Sequence, residues 1–330
     1  MRVAILIPEE AKLSGLVAPI DMLEAANDYM SERGYEKPFD VVLVGQRHRN
    51  VHMPQQVSFA CDHTIDEAGT FDLVIIPALV TRPDMLEQRY GNFIHFMKDQ
   101  RMRGAELASL CTGAFMLAAA GLLDGKPATT HWIAMDAMQQ FFPKVITEPD
   151  SVITDCDGIY TSGGASSSHN LLIYLIDRFV SHDAALFVAR LFAVDIDRAN
   201  QAHFAVFQPL KKHGDDSIMA AQQHIESRYG DPKLTVEEVA VSVAVSKRNF
   251  IRRFKKATNH TPIQYIQRVR MEVAKRSLEA SIDSVQEIMY KVGYNDPKTF
   301  RQVFKRVTGL TPNQYKSKYS RNYAIAVSAI

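Results

Sequence analysis

With 330 residues, 46% of them hydrophobic and 23% charged, the chain has ordinary globular composition and is long enough for two domains, each with its own core. The N-terminal run MRVAILIPEE is too short for a signal peptide, and the longest later apolar run, AFMLAAAGLL, cannot span a bilayer, so a cytoplasmic protein without a membrane partner is expected. Cys61, Cys111 and Cys156 form neither a disulfide framework nor a metal-type spacing; reduced thiols, no metal and no cofactor are expected. The net charge of +1 conceals an asymmetry. From Asp215 onward there are 20 Lys and Arg against 11 Asp and Glu, whereas residues 1–214 hold 18 against 26, so a +9 module follows a −8 module. Such a division points to nucleic-acid binding by the C-terminal part.

The N-terminal part alternates short apolar runs with helical ones. Val3–Pro8, Phe39–Gly45 and Phe71–Pro77 read as buried strands, and Leu16–Tyr29 and Tyr90–Met102 as helices. Continuous apolar strands separated by helices predict an α/β doubly wound parallel sheet covered on both faces. Ala105–Leu110 reads as a further strand, with a helix beginning near Gly113. Ser109, Cys111 and Gly113 then form a small-x-nucleophile-x-small arrangement, the pattern of a nucleophile elbow. Backbone amides there can hold an anion, and a helix N-terminus favours a thiolate. Cys111 is therefore expected to line a pocket; the alternative is a buried, inert cysteine. His131, in GKPATTHW, reads either as a base for Cys111 or as a pocket wall. The turn Ser162–Ser168, with a helix from about Asn170, offers the amides and hydroxyls of Ser162 and Gly163 to a carboxylate, or else only caps the helix.

The C-terminal part is written twice. FIRRFKKATNHTPIQY, Phe250–Tyr265, returns fifty positions later as FRQVFKRVTGLTPNQY, Phe300–Tyr315, with eight of sixteen positions identical. Phe250 and Phe254, like Phe300 and Phe304, lie four apart and share one helical face. The two helices are predicted to end near Thr258 and Thr308. Thr261 and Thr311 are then N-caps, with Pro262 and Pro312 at the first helical position. A short amphipathic helix precedes each copy, Val236–Val243 and Ser284–Val292, with Ala244 and Gly293 at the turns. Helix, tight turn and helix is the helix-turn-helix pattern. Opposite the phenylalanines lie Arg248 and Arg252, with Arg253, Lys255 and Lys256 nearby, in one copy, and Lys298 and Gln302, flanked by Arg301, Lys305 and Arg306, in the other. Such faces send guanidinium and amide groups into a major groove while neighbouring cations meet phosphate; a merely solvated face is the alternative that duplication argues against.

VEEVA, SKRNFIRRFKKATNHTP, RVRMEVAKRSLE and VGYNDPKTFRQVFKRVTGLTPNQY together resemble an AraC-type DNA-binding domain. The resemblance implies two helix-turn-helix units joined by a long helix, about Pro262–Glu279, with Arg248, Ile251 and Arg252 facing bases in the first unit and Lys298, Arg301 and Gln302 in the second. Ala244 departs from the usual glycine, which implies a strained first turn. SLCTGAFMLAAAGLLDGKPATTHW and YTSGGASSS resemble the flavodoxin-like, PfpI-type (class I glutamine amidotransferase-like) domain of the GlxA group of regulators, and residues 198–225 resemble that group's junction.

Departures argue against catalysis. Thr112 stands where enzymatic relatives have histidine, Gly15 and Asn170 stand where aspartate is common, and Pro77–Val80 lacks the glycines that present oxyanion-binding amides. Glu9, Glu10 and His131 are the substitute bases to consider. The expected organisation is a sensor domain at 1–203, a linker at 204–216, a DNA-binding domain at 217–320 and a tail at 321–330, for whose apolar end, Ala324–Ile330, no role emerges. The expected function is a DNA-binding transcriptional regulator, an activator and a homodimer, with no catalytic residue. Its expected effector is a small metabolite of amino-acid or amine type, held by Cys111, Thr112, His131, Ser162, Gly163 and Asn170. The rival readings are a thiol-dependent hydrolase or glyoxalase-like enzyme with a DNA-binding appendage, and an architectural DNA binder.

Overall fold

The computed structural model describes residues 1–80, 82–196, 200–207, 209–211, 213–280 and 283–320. The expected tail, with Gln208 and Lys212 of the expected linker and residues 198 and 199 of the junction, lies outside the described residues. Two compact units are formed, Met1–Gln201 and a second that begins at Ala202. No helix among the described residues is long and apolar enough to cross a membrane.

The first unit is built on β1 (Arg2–Ile7). Alternation sends Val3, Ile5 and Ile7 into one apolar layer and Ala4 and Leu6 into the other, all of them buried. β2 (Asp40–Gly45) pairs parallel on one side of β1. A separate hairpin, β3 (Asn50–His52) and β4 (Ser58–Ala60), precedes the short edge strand β5 (His63–Thr64). The chain then crosses to the other side of β1, laying down β6 (Leu73–Ile76) and β7 (Glu106–Ser109). A small pair, β8 (Pro127–Ala128) and β9 (Ile146–Thr147), lies apart, and β10 (Ile153–Cys156) and β11 (Ile159–Ser162) finish the main sheet. Its order is β10-β11-β7-β6-β1-β2-β5, parallel except for the antiparallel pair β10–β11.

Helices cover both faces, as the strand pattern requires. α1 (Leu13–Ser31), α5 (Ser166–Phe179) and α6 (His182–Leu191) bury Leu16, Met22, Leu171 and Val188 against one side. α2 (Leu86–Met102), α3 (Ala114–Ala119) and α4 (Met135–Phe141) bury Phe93, Met97, Phe115 and Met138 on the other. α2 begins four residues before the predicted start at Tyr90, and Tyr90 itself is a kink with φ −126° and ψ 16°. The break in helical pattern there is therefore real but internal. Strand order reverses between β1 and β6, and at such a switch point the carboxyl ends of the strands leave a crevice.

The second unit is helical: α7 (Asp216–Arg228), α8 (Val236–Ser242), α9 (Lys247–Thr258), α10 (Pro262–Ala280), α11 (Val285–Lys291), α12 (Pro297–Thr308) and α13 (Pro312–Tyr319). Several positions matched in the repeat do the same work twice. Phe254 packs edge-on to Tyr265 with centroids 5.2 Å apart, and Phe304 to Tyr315 at 5.5 Å. Thr258 and Thr308 donate to the carbonyls of Phe254 and Phe304, each at 2.8 Å, closing the last helical turn. Tyr265 donates to Glu226 and Tyr315 to Glu279, both at 2.6 Å. Thr311 caps α13 in a reciprocal capping box with Gln314. α10 belongs to both copies: Tyr265, Ile266 and Val269 enter the first core, and Met271, Ala274 and Leu278 the second.

Gly293 takes φ +79° at the second helix-turn-helix turn, and Ala244 takes φ +53° at the first. A Cβ in this left-handed region meets the following carbonyl, so Ala244 carries the strain its departure from glycine implies. Ala244→Gly is expected to raise stability by about 0.5–1 kcal/mol, measured as a higher urea midpoint for loss of helical circular dichroism in the full chain; a lower midpoint contradicts it.

Candidate functional site

β7 delivers the chain to Cys111 at the carboxyl edge of the sheet, beside the switch point. Cys111 has φ +56°, a strained backbone for a residue with a side chain, and a 3-10 turn, Cys111–Gly113, leads into α3. Three hydrogen bonds hold this elbow. Leu110 N–H donates to Ile76 O at 2.8 Å, Cys111 N–H to Ser162 Oγ at 3.1 Å, and Thr130 Oγ1 to Cys111 O at 2.9 Å. Gly113 is obligatory, since a Cβ would lie 2.6 Å from the carbonyl oxygens of both Ile76 and Pro77.

The elbow of the sequence pattern is thus present, but its surroundings differ from the expectation. The helix after it has only six residues and begins at Ala114, behind the 3-10 turn. The Cys111 amide is already bonded to Ser162, and the thiol is buried. Among the described residues no hydrogen bond reaches the Cys111 sulfur.

Thr112 occupies the place of a histidine with different chemistry. Its Oγ1 accepts Leu79 N–H at 2.8 Å and donates to Leu79 O at 2.7 Å, so one hydroxyl satisfies both backbone groups of a residue in the Pro77–Val80 loop. The Leu79 amide is therefore not available to an oxyanion. Gly15 lets α1 approach the same loop, where a Cβ would stand 3.0 Å from Ala78 N. Of the substitute bases, Glu10 is paired with Arg89 and Glu9 is exposed.

His131 forms a wall of the site. Its Nδ1 accepts Ile133 N–H at 3.1 Å, which places the proton of the neutral ring on Nε2. The ring lies over Gly164, where a Cβ would come within 2.5 Å of it, and its centroid is 5.4 Å from that of Trp132. Burial, reinforced by the charge of Lys12, holds His131 below its ordinary pKa of 6.5; burial does the same to His169.

Two amides of the glycine-rich turn are engaged within the domain. Gly163 N–H donates to Val152 O at 2.9 Å, and Gly164 N–H donates at 3.1 Å to Oε1 of Gln201. Gln201 is buried against Gly163 and was not among the residues the sequence singled out. Asn170, grouped by sequence with Cys111, lies elsewhere. It donates to Asp195 O at 2.7 Å and lines a separate cavity of about 190 Å³, together with Ile173, Tyr174, His182 and Ala185. The structure therefore brings Cys111, Thr112, His131, Ser162 and Gly163 together and places Asn170 apart from them. Among the described residues no group of three His, Cys, Asp or Glu side chains is placed to hold a metal.

In the second unit, α9 and α12 present Arg248, Arg252, Lys255, Lys298, Arg301, Gln302 and Lys305 as exposed side chains, with Ile251 half-buried. Neighbouring cations are engaged within the protein: Arg253 with Asp215, Arg306 with Gln267 and Lys247 with Glu237. Among the described residues, no hydrogen bond or salt bridge within the protein engages the side chains of the exposed seven.

The DJ-1/PfpI family profile matches residues 1–178, more than half of the chain. The chain belongs to the DJ-1/PfpI family. A helix-turn-helix domain profile matches residues 239–318, which covers both copies of the repeat from α8 onward. The HTH-type transcriptional regulator GbdR of Pseudomonas aeruginosa is 26% identical over 313 residues, spanning 94% of this chain and 82% of that protein. The HTH-type transcriptional regulator GlxA of Rhizobium meliloti is 28% identical over 218 residues, 65% of this chain and 66% of its own length. The crystal structure of an AraC family transcriptional regulator from Pseudomonas putida matches with a TM-score of 0.50 at 17% identity, covering 58% of this chain and 98% of that one, a likeness of fold.

Half-buried histidines are expected to give the DJ-1/PfpI domain an acid sensitivity. With the folded pKa below 6.5, the unfolded chain takes up protons first, so stability present above pH 6.5 is lost as pH falls below it. The unfolding temperature of the first unit is expected to fall between pH 7 and 5.5, and His131→Asn to flatten that fall; an unchanged slope in the variant assigns the loss to other groups.

Proposed function

We propose that this chain is a transcriptional regulator whose helix-turn-helix domain binds double-stranded DNA and whose DJ-1/PfpI domain senses a small metabolite without turning it over. The observation that carries the reading is the duplicated pair of exposed cationic faces on α9 and α12, set on rigid, repeated cores in a module of net charge +9. The naming of GbdR and GlxA as transcriptional regulators supports it. In this reading Arg248, Ile251 and Arg252, and Lys298, Arg301 and Gln302, face bases in two successive major-groove segments, while Lys255 and Lys305 meet phosphates. The protein acts in the cytoplasm as a homodimeric activator, and its effector is of amino-acid or amine type.

A sensing rather than catalytic role fits the chemistry at Cys111: a buried thiol, a neighbouring amide already bonded, and Thr112 in place of a base. The effector regulates only to the extent that it binds the DNA-competent and incompetent states with different affinity. The strained elbow at Cys111 is the one feature that favours the enzymatic reading, and it makes that reading testable.

On DNA selected from a random pool, Arg252→Ala is expected to weaken cognate binding roughly tenfold to a hundredfold while barely affecting random duplex. Lys305→Ala is expected to weaken both alike and to lower the salt slope by about 1. Equal losses on both duplexes for Arg252→Ala refute base reading by that side chain. Cys111→Ser is expected to leave DNA affinity unchanged, and incubation of the wild-type protein with metabolite mixtures to consume none of them; consumption abolished by Cys111→Ser makes the domain an enzyme.

A further inference from the structure

Gln201 is the last residue of the first unit and is almost fully buried. Its side chain behaves as a bound ligand of the DJ-1/PfpI domain. Oε1 accepts Gly164 N–H, and Nε2 lies 3.1–3.2 Å from four oxygens: Thr129 Oγ1, Thr130 O, Pro149 O and Ser151 O. Thr129 Oγ1 already donates to Ser151 O at 3.0 Å, so it can only accept from Gln201. One end of the subsite thus offers an N–H and the other a cluster of acceptors, which fixes the orientation of the amide. Gly163 makes room for it, since a Cβ there would lie 2.3 Å from Gln201 Oε1. The subsite adjoins the elbow, because Thr130 also donates to Cys111 O and His131 covers Gly164.

The chain beyond Gln201 is anchored again at once. In the second unit Lys275 Nζ donates to Ala205 O at 2.6 Å, Phe207 N–H donates to Glu272 Oε2 at 3.2 Å, and the Phe207 ring packs edge-on to Tyr265 and His260. Gln201 therefore holds the sensor end of a connection whose other end is fastened to α10.

We propose that Gln201 is an internal ligand filling a primary-carboxamide subsite, and that a small molecule bearing a primary carboxamide displaces it and frees the junction. A carboxylate does not suit the subsite, since one of its oxygens would face four oxygens without a proton to share. The regulatory meaning of the displacement rests on the reading of the chain as an effector-responsive DNA-binding regulator; the subsite and the latch do not.

The test uses the full chain, with propionamide and propionate as probes, protease nicking of the junction located by mass spectrometry, and thermal unfolding. Gln201→Ala and the isosteric Gln201→Glu are each expected to raise the nicking rate about tenfold or more, following the larger open population. Gly163→Ala evicts the side chain without altering Gln201 and is expected to do the same; added to Gln201→Ala it has no further effect, because the clashing amide is gone. Propionamide but not propionate is expected to raise the unfolding temperature of Gln201→Ala. Wild-type protein, whose latch competes, is expected to bind propionamide about tenfold more weakly and to be nicked faster in its presence. Wild-type nicking rates in Gln201→Glu and Gly163→Ala overturn the latch, as does wild-type nicking unaffected by propionamide that saturates Gln201→Ala. Equal shifts with propionate overturn the carboxamide assignment. Failure of the wild-type protein to bind DNA would sink the regulator reading and leave these readouts as they stand.

Discussion

The hydrogen bond from Cys111 N–H to Ser162 Oγ joins the carboxyl ends of β7 and β11 and sets the character of the first unit. Without a partner, the buried amide of a residue at φ +56° would seek an anion. With Ser162 as that partner, the strained turn closes on itself, and Thr130 completes it from the other side by donating to Cys111 O. The same principle recurs around the site. Leu79 is satisfied by Thr112, Gly163 by Val152 and Gly164 by Gln201, so backbone groups that an anion-binding site would leave open are bonded within the domain. The elbow has kept its shape while its polar groups have turned to structural use.

In the second unit the controlling constraint is duplication about one helix. α10 feeds three residues into each core, so neither helix-turn-helix unit can shift on it without disturbing the aromatic contacts that end at Tyr265 and Tyr315. Each copy buries its phenylalanines on one side of α9 or α12, which leaves the cationic side outward. A helix that holds one face in a core has only the other face for its polar positions, and in α9 and α12 those positions carry Lys and Arg. Two buried cations tie the unit together internally. Arg270 donates to the carbonyls of Tyr229 and Asp231, and Lys275 pairs with Glu272 while donating to Ala205 O.

What the sequence reveals follows the range of the interaction. Strands of the sheet are legible because burial on both faces demands unbroken apolar runs, and the ends of α9 and α12 fall at Thr258 and Thr308 because a threonine closing its own last turn is a local signal. Ala244 is legible as strained because the second copy supplies glycine at the matching turn. The grouping of Asn170 with Cys111 is where local reading misleads. It stands four residues into α5, and helical rotation sends its amide to Asp195 and the α5–α6 cavity rather than to the sheet edge. Gln201 leaves no local mark at all, since its partners Thr129, Thr130, Pro149, Ser151 and Gly164 lie 37 to 72 positions away. Only the two adjacent glycines at 163 and 164 hint that something must come close there.

Thr112 and Gln201 are two parts of one change in chemistry. A histidine after the cysteine would carry a base to the thiol; a threonine instead binds both backbone groups of Leu79 and fastens the loop that would have presented oxyanion donors. With the loop pinned and the elbow amide occupied, a donor–acceptor pair beside the sheet edge is the one that Gln201 fills. A molecule that entered that subsite would have to supply the same donor and acceptor or leave buried groups unpaired. The energetic consequence reaches beyond the pocket through covalent connection: the residue that fills the subsite is directly followed by the chain that Lys275 and Phe207 hold against α10, so occupancy of the subsite and freedom of the junction are linked quantities.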